Sequence, residues 1–199
     1  MATKQNHDAV PDGQGNNESH RDMQMYLRFG AMILTAMVVM YGVMYMATWE
    51  WSHVRWSTSR FFMALAMGGT MGLVMLAWML NMYRNTKLNV AIIAVSFLLL
   101  IGGVSLDRSQ TGIGDTAFMS AMIPHHSIAI LRSERAGLDD VRVCQLAVEI
   151  SKAQRREISE MEWLIEDIGE NGSATTLAEA EARPVPDFEA GADRQCPTD

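Results

Sequence analysis

Three stretches of this chain contain no Asp, Glu, Lys or Arg: Phe29–Trp49, Phe61–Tyr83 and Leu88–Leu106, of 21, 23 and 19 residues. A helix rises about 1.5 Å per residue, so about 20 apolar residues cross a hydrocarbon core about 30 Å thick. All three runs reach that length. They are too long and too uncharged to be core helices of a small soluble domain. The pattern predicts a three-helix transmembrane domain over residues 26–106. The first run begins too far from the N-terminus, and runs too long, for a cleaved secretory signal. It is read as retained. The whole-chain mean hydropathy of +0.03 hides this organisation, because the rest of the chain is polar.

The connections Glu50–Arg60 and Arg84–Lys87 are short, so the second and third spans form an antiparallel hairpin. Tyr26, Trp49, Trp51 and Trp56 fall where an aromatic belt would sit at the membrane interfaces. Gly68 and Gly72 make one GxxxG, which permits close helix approach. Lys4, Arg21, Arg28, Arg84 and Lys87 would lie on one side of the bilayer, and Arg55, Arg60 and Arg108 on the other. The positive-inside rule then places the N-terminus in the cytoplasm and everything after the third span outside it. The expectation is a multi-pass protein of a bacterial inner membrane with a periplasmic C-terminal domain.

Charge is segregated in the same way. Residues 26–106 carry five positive charges against one negative, whereas 107–170 carry seven against twelve. No basic patch of the kind that neutralises phosphates occurs, which argues against nucleic acid as a partner. Methionine is in excess, 17 in all, with 11 of them between Tyr26 and Leu106. Met63, Met67, Met71, Met75 and Met79 recur every four residues. Thioethers are soft donors for Cu(I), but they are also flexible apolar fillers. No charged residue or His lies within the spans to complete a site, so these methionines are read as packing.

Beyond the spans, Asp115 and Asp139 are candidate N-caps and Gly137 and Gly169 candidate helix ends. They frame helices over about 116–136 and 140–168, an antiparallel hairpin in a domain at 107–169. The second helix is amphipathic, with Val143, Leu146, Ala147, Ile150, Ile158, Met161, Leu164, Ile165 and Ile168 on one side. Gln154 and Glu157 interrupt that stripe. On the first helix His126 lies within a stripe containing Phe118, Met119, Met122 and Ile130, while His125 sits about 100° round. Pro124, inside the helix, predicts a local kink.

A buried carboxylate is costly unless paired or bound to a cation. Met119, Met122 and His126 therefore face Gln154, Glu157 and Met161 in one of two arrangements. They hold a soft metal ion, copper suiting the donors best. Alternatively, His126 and Glu157 are a buried hydrogen-bonded pair with methionines as packing. The Glu-x-x-His pattern of di-iron bundles is absent, and no Cys joins the cluster as zinc would favour. Nucleophilic catalysis finds no support: Cys144 is assigned to the polar side of its helix, Cys196 to the tail, and no phosphate loop occurs. Enzymatic activity is not expected. The polar segment 1–25 and the acidic segment 170–199 are expected to be disordered. A two-helix hairpin buries too little by itself, so a homo-oligomer completing a four-helix bundle is expected.

Asp115, Phe118-Met119, Met122-Ile123-Pro124-His125-His126 and Ala129-Ile130, followed by Gln154, Glu157-Ile158, Met161 and Trp163-Leu164, resemble a bacterial domain-of-unknown-function family. It is the one numbered three hundred and five, marked by a paired-histidine motif. The likeness covers roughly 107–168. The upstream helices and Arg108-Ser109-Gln110 are similar to its membrane-anchored branch. The resemblance implies a ferritin-like helical fold and an envelope location. Because some members are linked to copper tolerance, it also implies His125, His126, Met119 and Met122 as ligands.

Overall fold

The computed structural model describes residues 13–197. Those residues are all-helical, with no strand among them. The helices are α1 (Gly13–Val43), α2 (Thr58–Met79), α3 (Thr86–Ser109), α4 (Asp115–Arg135), α5 (Val141–Asn171) and the short α6 (Leu177–Ala182), with a 3-10 turn at Trp51–His53 between α1 and α2. Segments His20–Val43, Thr58–Met79 and Thr86–Ser109 are long and apolar enough to cross a membrane. The fold class is therefore the expected one: three apolar helices and then an antiparallel helical hairpin.

The described residues form two compact units. One comprises the chain up to Val38 together with Leu65–Gly102. Its helices pack on small residues. A Cβ at Gly68 would overlap the Met37 side chain, one at Gly69 would overlap the backbone of Ser96 and Leu100, and one at Gly72 would meet the Ser96 hydroxyl. Gly68 and Gly72 are thus used within the chain, α2 against α1 and α3, because only a missing side chain lets these backbones approach. Tyr26, Phe29, Leu76 and Tyr83 form a buried cluster at one end. There the Tyr26 hydroxyl donates to Asn89 Oδ1 at 2.8 Å.

The other unit comprises Val39–Ala64 and the chain from Gly103 onward. Its centre is the α4–α5 hairpin, whose buried side chains Met119, Ile123, Ile130, Ile158 and Met161 make one apolar core. Several boundaries differ from expectation. Gly114, not Asp115, occupies the N-cap of α4, and Asp115 lies in its first turn. Asp140, not Asp139, caps α5 by accepting from the Arg142 N–H. Gly172, at φ 77°, ends α5 rather than Gly169, since a left-handed residue suits glycine.

Two larger expectations are corrected. The first apolar span lies upstream of Phe29–Trp49, because the chain leaves helical conformation after Val43. This frees Trp49 to pack on the hairpin core instead of joining an interfacial belt. Cys144 is buried, not on a polar face, and is disulfide-bonded to Cys196. After α5 the chain forms α6 and is linked back to the hairpin through Cys196. Upstream, α1 begins at Gly13, and residues 1–12 of the polar N-terminal segment lie outside the described residues.

Candidate metal centre

The α4 face that meets α5 carries Met119, Ile123, Ser127 and Ile130, all buried at helical spacing. His126 sits beside that face with a side chain only 13% exposed. Its Nδ1 lies 3.1 Å from Glu157 Oε2 on α5, and Glu157 is 38% exposed. The pair is close enough for electrostatic attraction, yet the geometry is not that of a hydrogen bond, and the buried Nδ1 is left without a partner. Burial holds the His126 pKa below its ordinary value of 6.5, outweighing the Glu157 charge that would raise it, and His125 lowers it further. The ring is therefore neutral at pH 7, the form a metal requires.

Met119 and Met161 are buried in the core from the two facing helices, and Met122 packs against the same core. His125 is exposed, with its ring centroid 6.0 Å from that of His126 and its plane tilted by 60°. Adjacent residues on a regular helix diverge, so the two imidazoles do not converge. Among the described residues, no three His, Cys, Asp or Glu side chains come together as a metal-binding group. The structure thus brings His126 and Glu157 together, puts the three methionines in the core between their helices, and leaves His125 outside.

A polar network next to this cluster has no counterpart in the sequence reading. The Trp49 N–H donates to Ser127 Oγ at 2.7 Å, and His53 Nδ1 lies 2.9 Å from the same oxygen. Ser127 is fully buried and His53 nearly so. Arg155 stacks over the Trp49 ring at 5.1 Å and pairs with Asp193 at 2.7 Å. Arg55 reaches Glu162 at 3.0 Å. Glu134, its side chain almost wholly buried, accepts from the Ser151 hydroxyl and the Asp193 N–H. Burial alone would raise its pKa. Those donors, the Arg194 backbone and the Arg155 charge more than offset this and hold it below the usual range. These contacts join residues 17 to 107 positions apart, so no local spacing could reveal them.

Residues 115–195 match the family described as a domain of unknown function, DUF305. An uncharacterised protein, L153, of Acanthamoeba polyphaga mimivirus is 30% identical over 144 residues, covering 69% of this chain and 93% of that protein. The chain belongs to the DUF305 family. The viral likeness is longer than the chain from Asp107 to its end, so it includes part of the apolar helices. The family match runs to residue 195, taking in the segment that folds back onto the hairpin. No solved structure matches the chain.

Proposed function

We propose that this protein is a membrane-anchored metal-binding module that holds copper on the outer side of a bacterial inner membrane, for sequestration or hand-over without chemical turnover. The observation that carries the reading is the neutral, buried His126 Nδ1 with no hydrogen-bond partner, 3.1 Å from Glu157. A buried polar nitrogen so placed is costly unless something partners it. The donor set fits Cu(I): one imidazole nitrogen, the thioethers of Met119, Met122 and Met161, and Glu157 as a neighbouring negative charge. His125, exposed one residue away, is a candidate for delivering the ion from solvent.

Placement rests on the three apolar helices, the balance of positive charge, and the Cys144–Cys196 bond. Such a bond persists in an oxidising compartment, which favours the hairpin being extracytoplasmic. Val143, Leu146 and Ile150 are exposed along one side of α5, a surface suited to a second copy completing a four-helix bundle.

The test is a Cu(I) competition titration of the full chain in detergent. Wild type is expected to bind one ion per chain, and His126→Ala to lose it. Binding unchanged in the His125→Ala/His126→Ala double variant refutes the site. The second reading, favoured by the closeness of His126 and Glu157, is a structural pair that sets helix register. In that case Glu157→Gln changes stability or oligomeric state identically with and without copper.

A further inference from the structure

An apolar groove of about 450 Å3 runs along the unit formed by the N-terminal halves of α1 and the facing parts of α2 and α3. Leu27 and Gly30 of α1, Gly68 and Gly72 of α2, and Ala91 and Val95 of α3 are among its walls. We propose that this groove holds one acyl chain of an anionic phospholipid, whose phosphate is held at the groove's mouth by Arg28 and Lys87. The proposal rests on the reading that the three apolar helices cross a bilayer.

The dimensions choose the occupant. Along α3 the lining extends from Leu88 to Leu99, a rise of about 16 Å at 1.5 Å per residue, so the groove is long and apolar along the helix axis. That shape suits a single extended hydrocarbon chain. Its walls offer water almost nothing to bond, so it would not be filled by solvent. Gly30 contributes to the space directly: a Cβ there would meet nothing within 4 Å, whereas Gly68, Gly69 and Gly72 are filled by neighbouring helices.

The mouth chooses the headgroup. Leu27 and Leu88 line the groove, and their sequence neighbours Arg28 and Lys87 are exposed, as is Arg84. Between Met23 and Leu106 the sole carboxylate is Glu50, which belongs to the other unit; Asp22, half-buried beside the groove-lining Met23, is the carboxylate next to the lining. Arg28, Arg84 and Lys87, on side chains long enough to reach along the interface, outnumber it. The balance of charge is positive, so an anionic lipid is preferred over a zwitterionic one.

The experiment is native mass spectrometry of the delipidated full chain in detergent, offered phosphatidylglycerol or phosphatidylcholine of the same acyl length. Wild type is expected to retain one phosphatidylglycerol per chain, with at least a tenfold preference over phosphatidylcholine. Arg28→Gln/Lys87→Gln is expected to erase the preference, and Gly30→Leu, whose Cβ meets nothing within 4 Å and whose isobutyl group enters the groove, to remove the bound lipid of either kind. Equal uptake of the two lipids by wild type overturns the proposal. So does a Gly30→Leu variant that keeps its lipid, or a groove filled by a second chain with no lipid mass. Alkaline carbonate extraction separates the two readings. A chain washed from membranes refutes the spanning helices, whereas a chain that stays embedded but shows no lipid preference refutes this site alone.

Discussion

Replacing both Cys144 and Cys196 by Ser should free the segment that folds back over the hairpin. The bond closes a loop across 52 positions of sequence, and loop-closure entropy for that length is worth about 4 kcal/mol. The remaining ties are weaker. Arg194 donates to the carbonyl oxygens of Ser133, Glu134 and Ala136, satisfying the open end of α4. Asp193 pairs with Arg155, and Arg183 with Asp167 at 2.6 Å. Partly exposed pairs of this kind contribute about 0.2–1 kcal/mol each, so they cannot hold the segment unaided against its chain entropy. For a domain of about 100 residues, 1 kcal/mol shifts the melting temperature by about 4–8 °C, so a loss of 15 °C or more is expected. The assay is thermal unfolding of the hairpin in detergent, followed by near-ultraviolet circular dichroism from Trp49 and Trp163. Limited trypsin digestion gives a second reading: in the double variant cleavage after Arg194 should precede any other, while oxidised wild type resists. Unchanged melting and unchanged digestion of the double variant would refute the reasoning, because they would mean the non-covalent contacts suffice.

Lowering the pH should weaken the hairpin through His126. Its folded pKa lies below 6.5, so the unfolded chain binds the proton first; stability is full above about 6.5 and falls as the pH drops from there towards the folded value. A urea titration between pH 7.5 and 5 checks this, with His126→Gln expected to flatten the dependence. Ser127→Ala should cost about 1–3 kcal/mol, because it strips the acceptor from the buried Trp49 N–H and the partner from His53; the same unfolding assay reads it, and a cost below 0.5 kcal/mol would count against that network. Gly69→Ala should destabilise the apolar helical unit by about 1–3 kcal/mol, since its methyl meets the backbone of Ser96 and Leu100, while Gly30→Ala should be neutral. Unfolding in graded sodium dodecyl sulfate distinguishes the two.

The charge-free runs and the period of the hairpin helices were legible because each depends on composition within one segment. The apolar stripe of α5 shows where that legibility ends. Its buried members include Cys144, Ala147, Ser151, Ile158 and Met161, while Val143, Leu146 and Ile150 face outward. Periodicity locates an apolar side within about a third of a turn, and small residues win the contact with α4 in the first half because they let the helices close. Cys144 was therefore placed on the wrong face. The contacts of the segment after α5 were not legible for a related reason: an acidic, Pro-containing segment lacks a core of its own, and its ties are a covalent bond and carbonyl groups at the end of a distant helix.

By itself, the sequence determined the helical class, the three apolar helices, the hairpin, the family and the suspicion attached to His126 and Glu157. Those follow from length, charge and local spacing, which act over a few turns of chain. Only the tertiary structure decided that the His126 Nδ1 is unpartnered and that Trp49 and His53 converge on Ser127. It also decided that the glycines of α2 are spent inside the chain, leaving Gly30 beside an open groove. These outcomes depend on which surfaces meet across tens of residues. A side chain's burial, protonation and partners are set by its neighbours in space, and spacing along one helix does not contain them.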